Sequence, residues 1–254
     1  MSTANDSFAS FVLEKPFHYL WGLAADIAIF WYTIFFGVPA ILLTLITRNS
    51  RPLDFLSRLW CRFIIWTCGI KLDVQGLERL EAGRSYVIVS NHLSNFDIWC
   101  TFVAIPLTLR FVAKKELLRI PVFGQALAVS DHIVIDRQNP EAAIATINKA
   151  AARSEQGICI LFYAEGTRSP DGRVHPFKRG GVTLALHTQL PIVPLSISGT
   201  RKFLPKRSVV IRPGGRVKIV IGEPISTEGM SVETRDELTE RVREIVVRNF
   251  TEDY

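Results

Sequence analysis

The sequence predicts an α/β fold in which a mainly parallel or mixed sheet is flanked by helices and preceded by a two-helix membrane motif. After residue 70, short β-rich runs alternate with helical ones, and this alternation is typical of a sheet with parallel strands. Before residue 70, apolar segments dominate the chain. The 254 residues are 48% hydrophobic and carry a formal charge of +6. This composition excludes a disordered chain, and the charge suits an anionic partner such as nucleic acid or anionic lipid.

The apolar start of the chain is long enough to enter a bilayer. Residues 27–46 contain no charged side chain, and about 20 such residues cross a hydrocarbon core. Gly37 and Pro39 interrupt this block, and a second apolar segment covers residues 53–70. A membrane-spanning first helix and a bent helical pair within one leaflet both fit, and a buried core pair fits less well because tryptophans are frequent here. In the spanning arrangement, the cytoplasmic side would be marked by Arg48, Arg51, Arg58 and Arg62.

Seven short runs after this block have the composition of β-strands. They are Ile70 to Val74, Tyr86 to Ser90, Arg110 to Ala113, His132 to Asp136, Ile158 to Tyr163, Ile192 to Ile197 and Val217 to Ile221. We therefore expect a membrane-associated helical motif over residues 1–70 and an α/β catalytic domain over residues 71–254.

Two helices have clear start signals. Asn139 followed by Pro140 and Glu141 predicts a helix that runs to about Gln156. Thr234 with Glu237 resembles a capping box that opens a final amphipathic helix towards Phe250.

The cysteines indicate neither a metal site nor a disulfide framework. The four of them form no C-x-x-C pair and have no histidine at zinc-ligand spacing, so we expect buried free thiols in a reducing compartment. They are Cys61, Cys68, Cys100 and Cys159.

A histidine and an aspartate follow the second predicted strand at a suggestive spacing. His92 and Asp97 lie five residues apart, just past the carboxyl end of the strand, where open α/β sheets place their sites. A turn into a helix can bring the carboxylate to one imidazole nitrogen and leave the other nitrogen as a general base. The alternative is that both residues only cap the helix start.

Basic residues follow the neighbouring strands. Arg168 lies in a positively charged loop after the fifth strand, and its guanidinium could grip a phosphate through two hydrogen bonds. A solvated basic turn is the alternative. If the strands are parallel, several of these residues converge on one edge of the sheet. They are His92, Lys114, Lys115, Arg137, Glu165 and Arg168.

Five ordered blocks resemble the glycerolipid acyltransferase family, in particular its bacterial 1-acylglycerol-3-phosphate acyltransferases. They are NHLSNFD, FVAKKELLRIPVFG, HIVIDR, EGTRSPDGRVHPFKRGG and PIVPLSISGT, and they cover most of residues 70–225. Two positions depart from the family pattern. Ala164 stands where that family usually has proline, so we expect a loop with one backbone restraint fewer, and Asp131 stands where a glycine is frequent.

The resemblance implies a role for each matching residue. His92 and Asp97 match the catalytic pair, while Arg137 and Arg168 would hold the phosphate of the acceptor. Pro194 would lie in the block associated with the acyl donor. The other residues that the resemblance assigns to substrate binding are Lys114, Lys115, Glu165, Gly166 and Thr167.

The resemblance also implies the reaction. An acyl group would move from an acyl thioester, on coenzyme A or acyl carrier protein, to the free hydroxyl of 1-acylglycerol-3-phosphate and give phosphatidic acid. No metal or cofactor would be needed, and the protein would act on a phospholipid bilayer, at the inner (cytoplasmic) membrane with its catalytic domain in the cytosol. Open alternatives are another lyso-lipid acceptor such as a lyso-ornithine lipid, a lipid-ester hydrolase using Ser94, and a non-catalytic basic module; no nucleic-acid-binding signature is found.

Overall fold

A single seven-stranded sheet forms the centre of the molecule. The structure is a computed structural model that describes residues 16–136, 146, 157–252 and 254. The strand order is β1-β7-β6-β2-β5-β3-β4. The strands are β1 (Ile70–Gln75), β2 (Val87–Ser90), β3 (Thr108–Lys114), β4 (Ile133–Ile135), β5 (Ile158–Tyr163), β6 (Ile192–Ser198) and β7 (Gly215–Ile221). All seven predicted strands are present.

The sheet is mainly parallel, as the alternation of elements predicts. Only β6 and β7 pair in the antiparallel direction, while every other neighbouring pair is parallel. Because β2, β5, β3 and β4 are consecutive parallel neighbours, their carboxyl ends meet at one edge. The predicted site residues that the structure describes follow these ends.

Six α-helices lie in the described part of the chain. They are α1 (Pro16–Thr47), α2 (Arg51–Thr67), α3 (Phe96–Ala104), α4 (Phe123–Val129), α5 (Gly180–Thr188) and α6 (Arg235–Asn249). The helix predicted from Asn139 to Gln156 lies outside the described residues, Thr146 apart.

The capping box predicted at the last helix is wrong. A short 3-10 turn, Val232–Thr234, precedes α6, so Thr234 already has helical backbone angles and its side chain caps no backbone N–H. Its hydroxyl instead donates to the Ser231 carbonyl at 2.8 Å.

Alternate strand residues face two hydrophobic clusters on opposite sides of the sheet. Ile88 and Leu161 belong to the cluster that includes side chains of α1 to α4. Their chain neighbours Val89 and Ile160 belong to the cluster formed with α5 and α6. This alternation is what the pleat of a β-strand produces. The four cysteines are buried and free, as expected.

Helix α1 lies against the rest of the molecule along much of its length. Residues Tyr19–Thr47 are apolar enough to cross a membrane, with a mean hydropathy of 2.1, and no other described helix is. The helix continues through Pro39 without a break. A Cβ on Gly22 would lie 2.2 Å from the Ile211 carbonyl oxygen, and one on Gly37 would lie 2.6 Å from Cγ1 of Val122. Two loops of the α/β domain therefore touch one face of α1.

Arg58 on α2 makes its hydrogen bonds inside the protein. Its guanidinium donates to the carbonyls of Phe102 and Ile105 at 2.6 Å each and to that of Leu107 at 2.9 Å. These carbonyls lie at and beyond the carboxyl end of α3, where backbone acceptors lack helical partners. Arg58 thus joins the apolar helical pair to the helix that carries Asp97. The boundary at residue 70 between a membrane motif and a catalytic domain stays a prediction.

Candidate active site

The turn between β2 and α3 brings His92 and Asp97 into direct contact. Nδ1 of His92 lies 2.7 Å from Oδ2 of Asp97. The same oxygen accepts the backbone N–H groups of Leu93 at 2.6 Å and Ser94 at 2.9 Å. Asp97 lies in the first turn of α3, where the helix dipole favours a negative charge. The predicted contact between imidazole and carboxylate is confirmed.

The burial of His92 and Asp97 suits an imidazole base whose Nδ1 is held by the carboxylate and whose Nε2 is open. The Asp97 side chain is fully buried, whereas that of His92 is 14% exposed. Because an ionised carboxylate only accepts hydrogen bonds, Nδ1 carries the proton in this contact and Nε2 is left with its lone pair. Among the described residues, none makes a hydrogen bond to Nε2. The imidazole can therefore accept a proton from a bound molecule.

Tyr163 holds the face of the imidazole. Its ring stacks on that of His92 with 4.3 Å between the centroids and 20° between the planes. Its hydroxyl lies 3.4 Å from Oγ1 of Thr101 on α3. Burial, followed by the nearby charge of Asp97, raises the pKa of Tyr163 well above its usual value, so the hydroxyl stays protonated. Tyr163 packs against the cluster of α1 to α4. The pair of His92 and Asp97, called the dyad below, therefore lies on the side of the sheet that carries the apolar helices.

The loop after β5 is bonded to His92 through its backbone. Oε1 of Glu165 accepts the His92 N–H at 2.8 Å, and the Ser169 N–H donates to the His92 carbonyl at 2.7 Å. Residues 165–169 therefore stay beside the dyad. Arg168 immediately precedes Ser169, which makes one of these two bonds. Gly166, with φ of 72°, allows the turn between them.

Glu165 is a buried carboxyl group with two backbone donors. Burial, the largest cause, raises its pKa to about 7, although the N–H groups of His92 and His175 oppose the shift. Oε2 accepts the His175 N–H at 3.3 Å. Glu165 thus connects the dyad to the far side of its own loop, and near neutral pH it exists in both protonation states.

Ala164 gives the loop a fixed backbone despite the missing proline. Its N–H donates to the Ser90 carbonyl at 2.8 Å, and its carbonyl accepts the Lys178 N–H at 2.7 Å. A proline could not make the first of these bonds because it has no N–H. Two backbone hydrogen bonds therefore restrain the loop at the position where the family has proline. Asp131, the other departure, lies 3.6 Å from the guanidinium of Arg110.

Some of the basic side chains near the site are already neutralised. Arg179 pairs with Asp236 at 2.9 Å, and Lys115 pairs with Asp136 at the end of β4. Within the described residues, neither Arg168 nor Lys178 forms an ion pair. A Cβ on Gly166 would lie 2.8 Å from Cε of Lys178, so the Lys178 side chain crosses the same loop.

The remaining predicted binding residues are spread around this edge. Lys114 ends β3 in an exposed position. Val112, two residues earlier, packs against the cluster of α5 and α6, so Lys114 lies on the same side of the sheet. Thr167 is exposed. Arg137 lies outside the described residues. The substrate-binding roles of all these residues, Gly166 included, stay predictions.

Two side chains in this site had no role from the sequence. Tyr163 ends β5 and Thr200 follows β6, and Thr200 donates to Oδ1 of Asp97 at 2.5 Å. Both strands flank β2 in parallel, so the rule that parallel carboxyl ends meet at one edge was the available signal.

Ser94 is not placed as a nucleophile. Its side chain is fully buried, its hydroxyl donates to the Leu204 carbonyl at 2.8 Å, and the same oxygen accepts the Phe96 N–H at 3.3 Å. The Ser94 hydroxyl therefore makes no hydrogen bond to the imidazole of His92, whereas a serine nucleophile requires one.

Comparisons with known proteins identify the class to which this fold and this site belong. Residues 71–198 match the model of the family described as Acyltransferase. A relative from Limnanthes alba, "1-acyl-sn-glycerol-3-phosphate acyltransferase", is 38% identical over 189 residues, which cover 73% of this chain and 66% of the relative. The chain therefore spans slightly less than two thirds of that relative. A Pseudomonas aeruginosa protein of the same name is 35% identical over 205 residues, covering 78% of this chain and 77% of the relative.

A solved structure agrees with the sequence matches. The 1-acyl-sn-glycerophosphate (LPA) acyltransferase PlsC from Thermotoga maritima superposes with a TM-score of 0.78 at 27% identity, covering 92% of this chain and 95% of the other. The chain belongs to the acyltransferase family. The resemblance seen in the five sequence blocks is confirmed.

Proposed function

We propose that this protein transfers an acyl group from a thioester to the free hydroxyl of 1-acylglycerol-3-phosphate and so forms phosphatidic acid. The observation that carries this proposal is the buried Asp97 carboxylate on Nδ1 of His92, with Nε2 open to a substrate. The names of the relatives support this acceptor. Their names do not specify the donor, for which we propose acyl coenzyme A or acyl carrier protein.

The dyad would act as a general base and then as a general acid. Nε2 of His92 takes the proton from the glycerol hydroxyl while that oxygen attacks the thioester carbonyl. The new C–O bond forms, the C–S bond breaks, and the departing thiolate receives the proton from Nε2. Catalysis of this kind contributes about 10² to 10⁴ in rate. The Asp97 carboxylate stabilises the imidazolium that forms on His92, and the proposed reaction needs no metal or cofactor.

Arg168 would bind the phosphate of the acceptor. Its neighbour Ser169 is hydrogen-bonded to the backbone of His92, so a phosphate held there lies near the base. A guanidinium binds a phosphate through two parallel hydrogen bonds. Arg137, which the resemblance assigns to the same phosphate, keeps its predicted role, as do Lys114 and Lys115.

A bilayer would cover the outer face of α1 and α2. Ala25, Phe36 and Ala40 are buried on the inner side of α1, while large apolar side chains are exposed on the other. Those exposed by more than half of their surface are Leu20, Ile27, Phe30, Trp31, Phe35, Leu42, Leu45, Ile46, Phe55 and Trp66. Since two loops of the α/β domain touch α1, we favour a helical pair that lies within one leaflet over a spanning helix. We place the protein on the cytoplasmic membrane with the site facing the cytosol.

The reaction is tested with the full chain in detergent or lipid vesicles. Labelled acyl coenzyme A and acyl carrier protein are offered with 1-acylglycerol-3-phosphate, a lyso-ornithine lipid and a phosphate-free lyso-lipid. We expect transfer to 1-acylglycerol-3-phosphate, its loss in His92→Ala, and its retention in Ser94→Ala. Loss in both variants would favour a hydrolase-like serine mechanism. Turnover that strictly requires the phosphate-free acceptor would refute the role of Arg168.

Membrane attachment is tested separately by sedimentation with vesicles of phosphatidylethanolamine and phosphatidylglycerol. Trp31→Glu combined with Phe35→Glu should reduce the bound fraction, because two charges enter the proposed apolar contact. Val247→Glu is the matched control, since Val247 is an exposed apolar residue of α6 on the opposite side of the sheet. Equal binding of both variants and the wild type would exclude this face as the contact.

A further inference from the structure

The two carboxylate oxygens of Asp97 have different partners. Oδ2 accepts three hydrogen bonds, from Nδ1 of His92 and from the N–H groups of Leu93 and Ser94. Oδ1 accepts one, from the hydroxyl of Thr200. All four donors lie within 2.5 to 2.9 Å. The carboxylate is therefore held by its own turn on one oxygen and by a residue 103 positions away on the other.

Thr200 is placed by the turn that follows β6. Gly199 has a φ of 91°, and a Cβ there would lie 2.7 Å from the Arg216 carbonyl oxygen, so the turn requires a glycine. Nη2 of Arg201 donates to the Pro170 carbonyl at 3.0 Å. Gly199 thus fixes the backbone before Thr200, and after it the Phe203 N–H donates to the Thr200 carbonyl at 3.2 Å.

The direction of this hydrogen bond follows from its partners. Thr200 is fully buried, and an ionised carboxylate has no proton to offer, so the hydroxyl must donate. A hydrogen bond to a charged group in a buried place is stronger than one between neutral groups. It lowers the electron density that Oδ1 and Oδ2 share, and it restricts the rotation of the carboxylate about its last bond.

We propose that Thr200 is a positioning residue for acyl transfer, which orients the Asp97 carboxylate and thereby the imidazole of His92. This inference rests on the proposed function of the dyad as a general base. Without the hydroxyl, Asp97 can rotate and attracts the proton on Nδ1 more strongly. The imidazole then samples orientations in which Nε2 points away from the acceptor hydroxyl.

The experiment compares Thr200→Val with Thr200→Ser in the full chain. Valine has nearly the shape of threonine without a hydroxyl, and serine keeps the hydroxyl without the methyl group. We expect Thr200→Val to lower kcat about 10- to 100-fold, the range that corresponds to one charge-assisted hydrogen bond, with both KM values within about twofold of wild type. Thr200→Ser should restore kcat to within about threefold.

A pH profile separates positioning from a merely structural effect. In Thr200→Val the acid limb of kcat should move to higher pH, because a carboxylate with one donor fewer holds the imidazolium form more firmly. Thr200→Ser should follow the wild-type curve. Thr239→Val is the matched control: Thr239 is a buried threonine on α6 whose hydroxyl also makes one hydrogen bond, to the Arg235 carbonyl at 2.7 Å, and its loss should move neither kcat nor the pH profile.

Nuclear magnetic resonance of ¹⁵N-histidine gives a readout that needs no turnover. The His92 signals, assigned by comparison with His92→Gln, should change from imidazole to imidazolium at the same pH in wild type and Thr200→Ser and at a higher pH in Thr200→Val, with Nδ1 protonated in all three proteins. If Thr200→Val does not fold, Thr200→Ala replaces it.

Wild-type kcat and an unchanged ¹⁵N titration of His92 in Thr200→Val would overturn the inference. Equal loss of activity in the valine and serine variants, with lowered melting temperatures, would overturn it in favour of a structural role. If wild type transfers no acyl group while the ¹⁵N titration of His92 still depends on the Thr200 hydroxyl, the proposed function fails and the link from Thr200 through Asp97 to His92 stands.

Discussion

The ring of Tyr163 stacks on the imidazole of His92 with 4.3 Å between their centroids. At the edge of the same imidazole, Nδ1 lies 2.7 Å from Oδ2 of Asp97. The edge of the imidazole is thus held by a residue of α3, and its face by a residue of β5. Such double confinement favours a single orientation of the base, which is what acid–base catalysis requires.

Replacing Tyr163 should separate its ring from its hydroxyl. Tyr163→Phe keeps the stacked ring and loses only a 3.4 Å contact with Thr101, so we expect kcat within about threefold of wild type. Tyr163→Leu removes the π-face that stabilises an imidazolium and should lower kcat by about tenfold. Steady-state kinetics of both variants provide the measurement. A leucine variant as active as the phenylalanine variant would show that the stacking is dispensable.

Glu165 should make the stability of the protein depend on pH. Burial raises the pKa of this carboxyl to about 7, above the value near 4.5 of an unfolded chain. A raised pKa means that the native state binds the proton more tightly, so its stabilising contribution is complete below pH 4.5 and is lost as the pH rises through 7. Glu165→Gln carries no such charge. The melting temperature of Glu165→Gln, relative to wild type, should therefore be higher at pH 8 than at pH 5.

The same variant tests the contact between Glu165 and His92. Glutamine retains one carbonyl oxygen that can accept the His92 N–H, whereas alanine retains none. We expect Glu165→Gln to keep more acyl transfer than Glu165→Ala. The reverse order would contradict a role of Oε1 in holding the backbone of His92.

His132 should destabilise the protein at acid pH. Burial, with a smaller contribution from Arg110, lowers the pKa of this imidazole to about 3. Nδ1 accepts the Phe111 N–H at 3.2 Å, so the native state needs the neutral ring. Since the unfolded imidazole has a pKa near 6.5, stability is complete above that value and falls by about 1 kcal/mol for each pH unit below it.

The measurement compares urea unfolding of wild type and His132→Gln at pH 7.5 and pH 5.5. Wild type should lose stability between pH 7.5 and pH 5.5. The variant should lose about 1 kcal/mol less, because it lacks the buried imidazole that becomes protonated on unfolding. Parallel losses in both proteins would assign the acid sensitivity to other groups.

Removal of the Arg58 guanidinium should weaken the attachment of α2 to α3. In Arg58→Met the three carbonyls of Phe102, Ile105 and Leu107 lose their charged donor. Leaving such groups unpaired costs on the order of 2 to 4 kcal/mol. Arg62→Met, an exposed position on the same helix, is the control and should change the free energy of unfolding by less than about 0.5 kcal/mol. Denaturation followed by circular dichroism measures both.

The strands and the catalytic pair could be predicted from the sequence because their signals are short-range. The seven strands are short β-rich runs, and His92 and Asp97 belong to a single turn. Arg58 shows where this reasoning fails. The sequence offers this arginine only as one of four that would mark the cytoplasmic side of a spanning helix, whereas its guanidinium donates to three carbonyls that a one-dimensional pattern cannot place.

By itself the sequence determined the strand pattern, the buried thiols, the apolar start of the chain and the histidine with its aspartate. Only the tertiary structure decided which distant side chains hold that histidine. Thr200 and Tyr163 reach the dyad because β6 and β5 lie on either side of β2, and strand order arises from packing of the whole sheet. Contacts between residues 60 or 100 positions apart depend on that packing, whereas helix and strand periodicity depend on neighbours within a few residues.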